Sequence, residues 1–346
     1  MSVVHHGALD YAELAALGLS PESVADFSSN CNPFGPPPGV EAALRALPPS
    51  ALARYPDRDC LALRERLAAL HALEPAWICI GNGSAELIWA LARALLKPGA
   101  LAAILGPTFG EYAAASAACG ARVTPVEMFR LNGTTGTRAP ILAPHAASVV
   151  WLCNPNNPTG HLLSPRDLAA LREEFPSAIF VIDEAYLAFV PGACAARPAG
   201  RTVILRSLTK DFGMAGLRLG YLLAPPPLIA RVRGLLPPWN IGAPAQAAGL
   251  AALDALEWHA TTMAQIRAES ERLRAALRAQ GWRLHAGAAH FFLLSAGDGA
   301  TLRARLLAHK LVVRDCASFG LPAWVRIAPQ VPALNDRLIA ALEQLP

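Results

Sequence analysis

Arg206-Ser207-Leu208-Thr209-Lys210-Asp211-Phe212-Gly213-Met214-Ala215-Gly216-Leu217-Arg218-Leu219-Gly220 lies between two short apolar runs, Thr202 to Leu205 and Leu219 to Leu223. Both runs have the length and residue types of β-strands, so the polar stretch between them begins at a strand end. Lys210 is conspicuous there, because the chain has only two other lysines, Lys97 and Lys310. Further strand-like runs occur at Trp77 to Ile80, Ala100 to Leu105, Val149 to Cys153 and Ala178 to Ile182. Between them, Glu86 to Leu96 and Pro165 to Phe175 carry apolar residues at helical spacing, the second opened by Ser164 as N-cap with Pro165 at the first helical position. This alternation predicts an α/β fold with a mainly parallel central sheet.

The texture changes after Pro237-Pro238. A long helical pattern from about Pro244 to Gly281 is followed by strand-like pieces at Phe291 to Leu294 and Val325 to Ile327, then by a helix near Asn335 to Leu345. A chain of 346 residues exceeds the size at which one hydrophobic core keeps growing. The expected division is an N-terminal arm and part of a small domain over 1–45, a large domain over 46–238 and a small C-terminal α+β domain over 239–346. The hydrophobic fraction of 53% includes much alanine, and no apolar run approaches the roughly 20 residues of a bilayer span. With no signal-peptide pattern at the N-terminus, the expectation is a cytoplasmic protein without a membrane segment. A formal charge of +4 without a Lys/Arg run gives no nucleic-acid patch, and seven scattered cysteines without a Cys-x-x-Cys pair signal neither a metal site nor a disulfide framework.

The polar and unusual segments fall just after predicted strands, where open α/β sheets place ligands. Gly81 to Glu86 opens a helix, so the N–H groups of Gly83, Ser84 and Ala85 are candidates for holding a phosphate; read alone, the segment is equally an ordinary glycine turn. Phe109, in Pro107-Thr108-Phe109, is placed to lie against a planar ring, although a lone Phe is more often core. Asn154-Pro155-Asn156-Asn157-Pro158-Thr159-Gly160 is a multiple turn that presents the Asn157 amide. Asp183 and Tyr186 follow the next strand, where a carboxylate is costly to bury without a cationic partner.

With these segments in this order, the stretch around Lys210 resembles the Ser-x-x-Lys signature of fold-type I pyridoxal 5'-phosphate (PLP) enzymes, the class I/II aminotransferase superfamily. The resemblance covers essentially the whole chain. It implies that Lys210 carries PLP as a Schiff base, and that Ser207, Thr209 and Arg218 join Gly83, Ser84 and Ala85 around the cofactor phosphate. It also implies that Phe109 stacks on the ring, Asn157 and Tyr186 bond its O3', and Asp183 pairs with its nitrogen. The chemistry agrees: the ring withdraws electrons only while its nitrogen is protonated, and a lysine that bonds the cofactor and moves protons works best near neutral pKa, which burial and a cation such as Arg218 would favour. Tyr55, in Ala53-Arg54-Tyr55-Pro56-Asp57, resembles the position from which a tyrosine crosses a homodimer interface to the neighbour's cofactor phosphate.

Fold does not choose the reaction. Arg314 and Arg326 suit recognition of carboxylate and phosphate, and two of them imply a small substrate with two anionic groups. His5-His6-Gly7, Asp26-Phe27-Ser28-Ser29-Asn30-Cys31-Asn32-Pro33-Phe34-Gly35 and Arg314-Asp315-Cys316 resemble segments of the cobalamin-pathway threonine-phosphate decarboxylases, with Ala8 where that family has a second glycine. Histidinol-phosphate aminotransferases are the next resemblance. The first implies decarboxylation of L-threonine O-3-phosphate, with His6, Gly7, Asn30, Asn157, Arg314 and Arg326 on the substrate.

Overall fold

The computed structural model describes residues 7–129, 131 and 146–345. Thirteen strands form three sheets among these residues. The large sheet contains β2 (Ile78–Asn82), β3 (Leu101–Gly106), β4 (Arg122–Glu127), β5 (Ala147–Cys153), β6 (Ile179–Asp183), β7 (Thr202–Ser207) and β8 (Leu219–Leu223), in the order β2-β8-β7-β6-β5-β3-β4. Pairing is parallel from β7 through β4, whereas β8 runs antiparallel to both β2 and β7. The fold is therefore α/β with a mainly parallel sheet, as the alternation predicts. The inner strands are continuous apolar runs because both faces are covered: Val149, Val150, Trp151 and Leu152 are all fully buried.

Strand β4 has no counterpart among the sequence-predicted strands. It is an edge strand of sequence Arg-Val-Thr-Pro-Val-Glu, half exposed, and only an edge tolerates Pro125, which cannot donate to a ladder. The long helical pattern near 244–281 is two helices, Ala243–Asp254 and Leu256–Ala279, broken at Ala255. Apolar spacing continues across the break, so periodicity alone could not show it. The helix Pro165–Glu174 begins as expected, with a full capping box between Ser164 and Asp167.

A four-stranded sheet, β12-β13-β10-β9, comprises β9 (Leu284–Ala286), β10 (Phe292–Ser295), β12 (Arg314–Asp315) and β13 (Trp324–Ile327). The third sheet pairs β1 (Ala25–Asp26) in parallel with β11 (Leu311–Val312), which draws the N-terminal segment into the same region. Ala25 and Phe27 accordingly share one core with Leu273, Phe292, Val325 and Leu338.

The four-stranded sheet meets the loop after β5 through backbone. Ala288 N–H donates to Gly160 O at 2.7 Å, and a Cβ on Gly287 would stand 2.2 Å from Gly160 C and O. No side chain is there to give way, so only glycine allows this approach. Gly287→Ala is expected to cost about 1–3 kcal/mol of unfolding free energy, read from denaturant midpoints at unchanged slope, and to weaken cofactor retention because the displaced loop carries Asn157.

Candidate active site

The strand directions decide what meets what. β2, β3, β5, β6 and β7 all point their C-terminal ends to one edge of the large sheet, and β8, running the other way, starts at that edge. Ser84, Phe109, Asn157, Asp183 and Lys210 therefore arrive at the ends of different strands, and Arg218 arrives just before β8. They line one cavity of about 970 Å³, together with Ala85, Tyr186, Gly7, Asn30, Arg314 and Arg326.

On the phosphate side, Gly83, Ser84 and Ala85 form the first turn of the helix Gly83–Leu95. Gly83 sits at φ +73°, and a Cβ there would lie 2.5 Å from Arg218 Nη2, so the guanidinium is pressed against the turn. Arg218 itself holds φ +53°, an uncommon backbone state for a side-chain-bearing residue. The Thr209 hydroxyl donates to Leu219 O at 3.1 Å and accepts from Leu219 N–H at 3.2 Å. Thr209 is thus bonded to the residue that follows Arg218 and is not among the residues lining the cavity. Ser207 is buried outside the lining as well.

Asp183 is buried, with Oδ2 accepting from the Tyr112 hydroxyl at 2.8 Å and Oδ1 accepting from Ala185 N–H at 3.0 Å. Burial pushes its carboxyl above the ordinary value, and these two donors with Lys210 and Arg206 only partly offset that. Tyr186 is buried, and its phenol is raised by burial, with Lys210 and Arg326 opposing. For Lys210 the expected lowering is not found. Burial favours the neutral amine, but Cys31 and Tyr186 outweigh it and hold Lys210 above the ordinary lysine value, against Arg326 and Arg218.

Arg314 and Arg326 lie directly opposite one another in the antiparallel β12–β13 ladder, so both side chains leave the same face. Arg326 is buried and donates through Nη1 to Asn157 Oδ1 and through Nη2 to Ser28 O, and no described carboxylate forms an ion pair with it. Arg314 donates to Ser318 Oγ at 2.6 Å. Burial lowers both guanidinium groups, and the charge of Arg326 adds to the lowering of Arg314. Gly7 completes this wall: a Cβ on it would meet Ser28 O at 2.4 Å and Arg326 Nη2 at 2.9 Å. Ala8 follows at φ +118°, a conformation suited to glycine, and is held there by Ser28 Oγ, which accepts from its N–H at 2.9 Å. Asn30 is buried in the lining, its amide near the Tyr186 phenol but with neither amide atom in hydrogen-bonding geometry with protein.

Two assignments fall elsewhere. His6 lies outside the described residues. Tyr55 is 77% exposed and stacks on Trp239 at 4.3 Å between ring centroids, away from the cavity of its own chain. Tyr112, Ser28 and Cys31 line the cavity and were not singled out from sequence. A fully buried tyrosine needs a partner for its hydroxyl, but nothing in the sequence tells that Tyr112 meets Asp183 across 71 residues.

The family model for class I and II aminotransferases matches residues 22–342. The chain belongs to that family. Relatives include the histidinol-phosphate aminotransferase of Symbiobacterium thermophilum, 36% identical over 94% of this chain and 91% of that protein. The threonine-phosphate decarboxylase of Salmonella typhimurium is 35% identical over 98% of this chain and 96% of that one. Among solved structures, histidinol-phosphate aminotransferase from Sinorhizobium meliloti in complex with pyridoxal-5'-phosphate superimposes with TM-score 0.84 at 23% identity, covering 97% of this chain and 94% of that one. As an enzyme of this family the chain uses PLP as cofactor. Its own residues fit such a group: an anion cradle at Gly83 to Ala85 with Arg218, a lysine, and a buried carboxylate all face one cavity.

Behind Lys210, Asp211 is pushed by burial to about 7, with Arg206 opposing the rise. The native state therefore binds this proton more tightly than the unfolded chain, so Asp211 contributes most below about pH 4 and loses that contribution as pH rises through about 7. Unfolding midpoints of Asp211→Asn and the parent protein, compared across this range, should separate progressively with rising pH in favour of the variant.

Proposed function

We propose that the chain decarboxylates L-threonine O-3-phosphate to (R)-1-amino-2-propanol O-2-phosphate, as a PLP-dependent lyase of cobalamin biosynthesis. The observation that carries this reading is the pair Arg314 and Arg326. Two like charges placed directly opposite in a ladder repel, and burying them adds desolvation, unless a ligand with two anionic groups lies between or beside them. Threonine phosphate has a carboxylate and a phosphate; histidinol phosphate has only the phosphate, although its partner 2-oxoglutarate carries two carboxylates, so the segments at 5–7, 26–35 and 314–316 weigh with the pair.

In this reading Lys210 holds the cofactor, Gly83, Ser84, Ala85 and Arg218 hold its phosphate, and Ser207 and Thr209 support that cradle from behind. Asp183, fixed by Tyr112, holds a proton at the ring nitrogen; Asn157 and Tyr186 address O3', and Phe109 covers the ring. When bound, the cofactor supplies an electron sink for whichever Cα bond stands perpendicular to its ring. Arg314 and Arg326, with Gly7, Asn30, Asn157 and His6, choose that bond by fixing the substrate's two anions, a positioning effect worth several kcal/mol of barrier. Lys210, once displaced by the substrate amine, or a water then delivers a proton to Cα. The exposed Tyr55 and Trp239, with Leu52 68% and Leu61 49% exposed, support a homodimer in which Tyr55 reaches the partner's cofactor phosphate.

A second reading, histidinol-phosphate aminotransferase, is favoured by the relative of that name at 36% identity. One assay separates them. The purified protein with threonine phosphate should release CO2 without a 2-oxo acid, and turnover that instead requires histidinol phosphate and 2-oxoglutarate overturns the proposal. Arg326→Ala is expected to lower kcat/KM at least about 30-fold, since truncating one partner of a buried charge pair costs about 2–5 kcal/mol, while Lys210→Ala should abolish the absorbance band of covalently bound cofactor.

A further inference from the structure

Cys31 stands beside the lysine that the mechanism depends on. Its thiol lies 3.6 Å from Lys210 Nζ, and no other hydrogen-bond partner of that amine is found among the described residues. The contact is built rather than incidental. Asn32 N–H donates to Lys210 O at 2.9 Å, and Asn32 Nδ2 donates to Asp211 O at 3.1 Å and to Thr262 Oγ1 at 2.9 Å. From the other side Gly213, at φ +64°, lets the turn after Lys210 press so close that a Cβ there would stand 2.8 Å from Gly35 C and O and 2.9 Å from Asn32 O. The segment around Asn32 is thereby seated on the backbone of the Lys210 turn, and Cys31, bonded to that anchored residue, has little freedom to leave Nζ. The preceding Asn30, 2% exposed, lines the same cavity beside the Tyr186 phenol, so this segment borders the cavity as well as the lysine.

We propose that Cys31 is a positioning residue for Lys210, which fixes where the amine sits and holds its proton on the cofactor side of the cavity. A thiol is a weak acceptor while protonated and an ion partner once ionised, so either form attracts the ammonium more than it attracts the neutral amine. The other groups facing Lys210 come from different elements. Tyr186 and Asp183 follow β6 and favour its charge; Arg218 before β8, Arg326 in β13 and the buried His290 oppose it. Cys31 is the member of this set that touches Nζ. The proposal rests on the cofactor and the lysine, and stands whichever reaction the substrate assay reveals.

The test is a pH titration of the visible absorbance of the bound cofactor in the full-length holoenzyme, for the parent protein, Cys31→Ala and Cys31→Ser. Losing the thiol should move the midpoint down by about 0.5 unit or more, roughly threefold in proton affinity. Serine, which restores a polar atom at the same position, should return most of the shift. An Ala midpoint within about 0.2 unit of the parent, or equal displacement of Ala and Ser, overturns the proposal, the second by showing that only packing is felt. Should the Ala variant fail to retain cofactor, Cys31→Ser carries the decision alone: a midpoint displaced less than that of Cys31→Val supports the polar contact, and equal displacement overturns it.

Discussion

One guanidinium ties the site together. Arg326 stands in the four-stranded sheet, donates to Asn157 on the loop after β5 of the large sheet, and donates to Ser28 in the N-terminal segment. Three stretches far apart in sequence converge on one buried cation that forms no ion pair with a described carboxylate. Breaking either bond would leave a charge unsolvated inside the protein, which is far costlier than a lost surface contact. The neighbouring Arg314 adds repulsion to the same place. The charge of Arg326 also reaches Lys210, whose protonation it opposes, and Tyr186, whose phenol it draws down.

Much of the architecture was legible in the sequence because its signals are local. Every inner strand of the large sheet is a short apolar run, and the helix caps at Ser164 follow from two residues. The exceptions are physical. Strand β4 is polar and contains proline because it lies at an edge, and the break at Ala255 leaves no mark on helical spacing. Most of the expected site residues converge on one cavity, since strand-end position is itself a sequence property once the sheet is known to be parallel.

What sequence could not supply were pairings between distant side chains. Thr209 shares the motif with Lys210, yet its hydroxyl is taken by Leu219, a contact that depends on the reversed direction of β8. Lys210 is raised by Cys31 and Tyr186, and Cys31 reaches the lysine only through tertiary packing. Tyr112 gained its role from Asp183 in the same way.

The large sheet provides the anion cradle, the lysine and the buried carboxylate, while Arg314 and Arg326 come from adjacent strands of a different sheet. The two groups of residues are thus carried by different sheets, which meet through the Gly160–Ala288 backbone contact, through Arg326 on Asn157, and through Tyr186 and Phe189 packed on Phe291 and His290. A substitution in β12, β13 or the N-terminal segment can therefore change the charge on one wall of the cavity while the strand ends that form the opposite wall keep theirs.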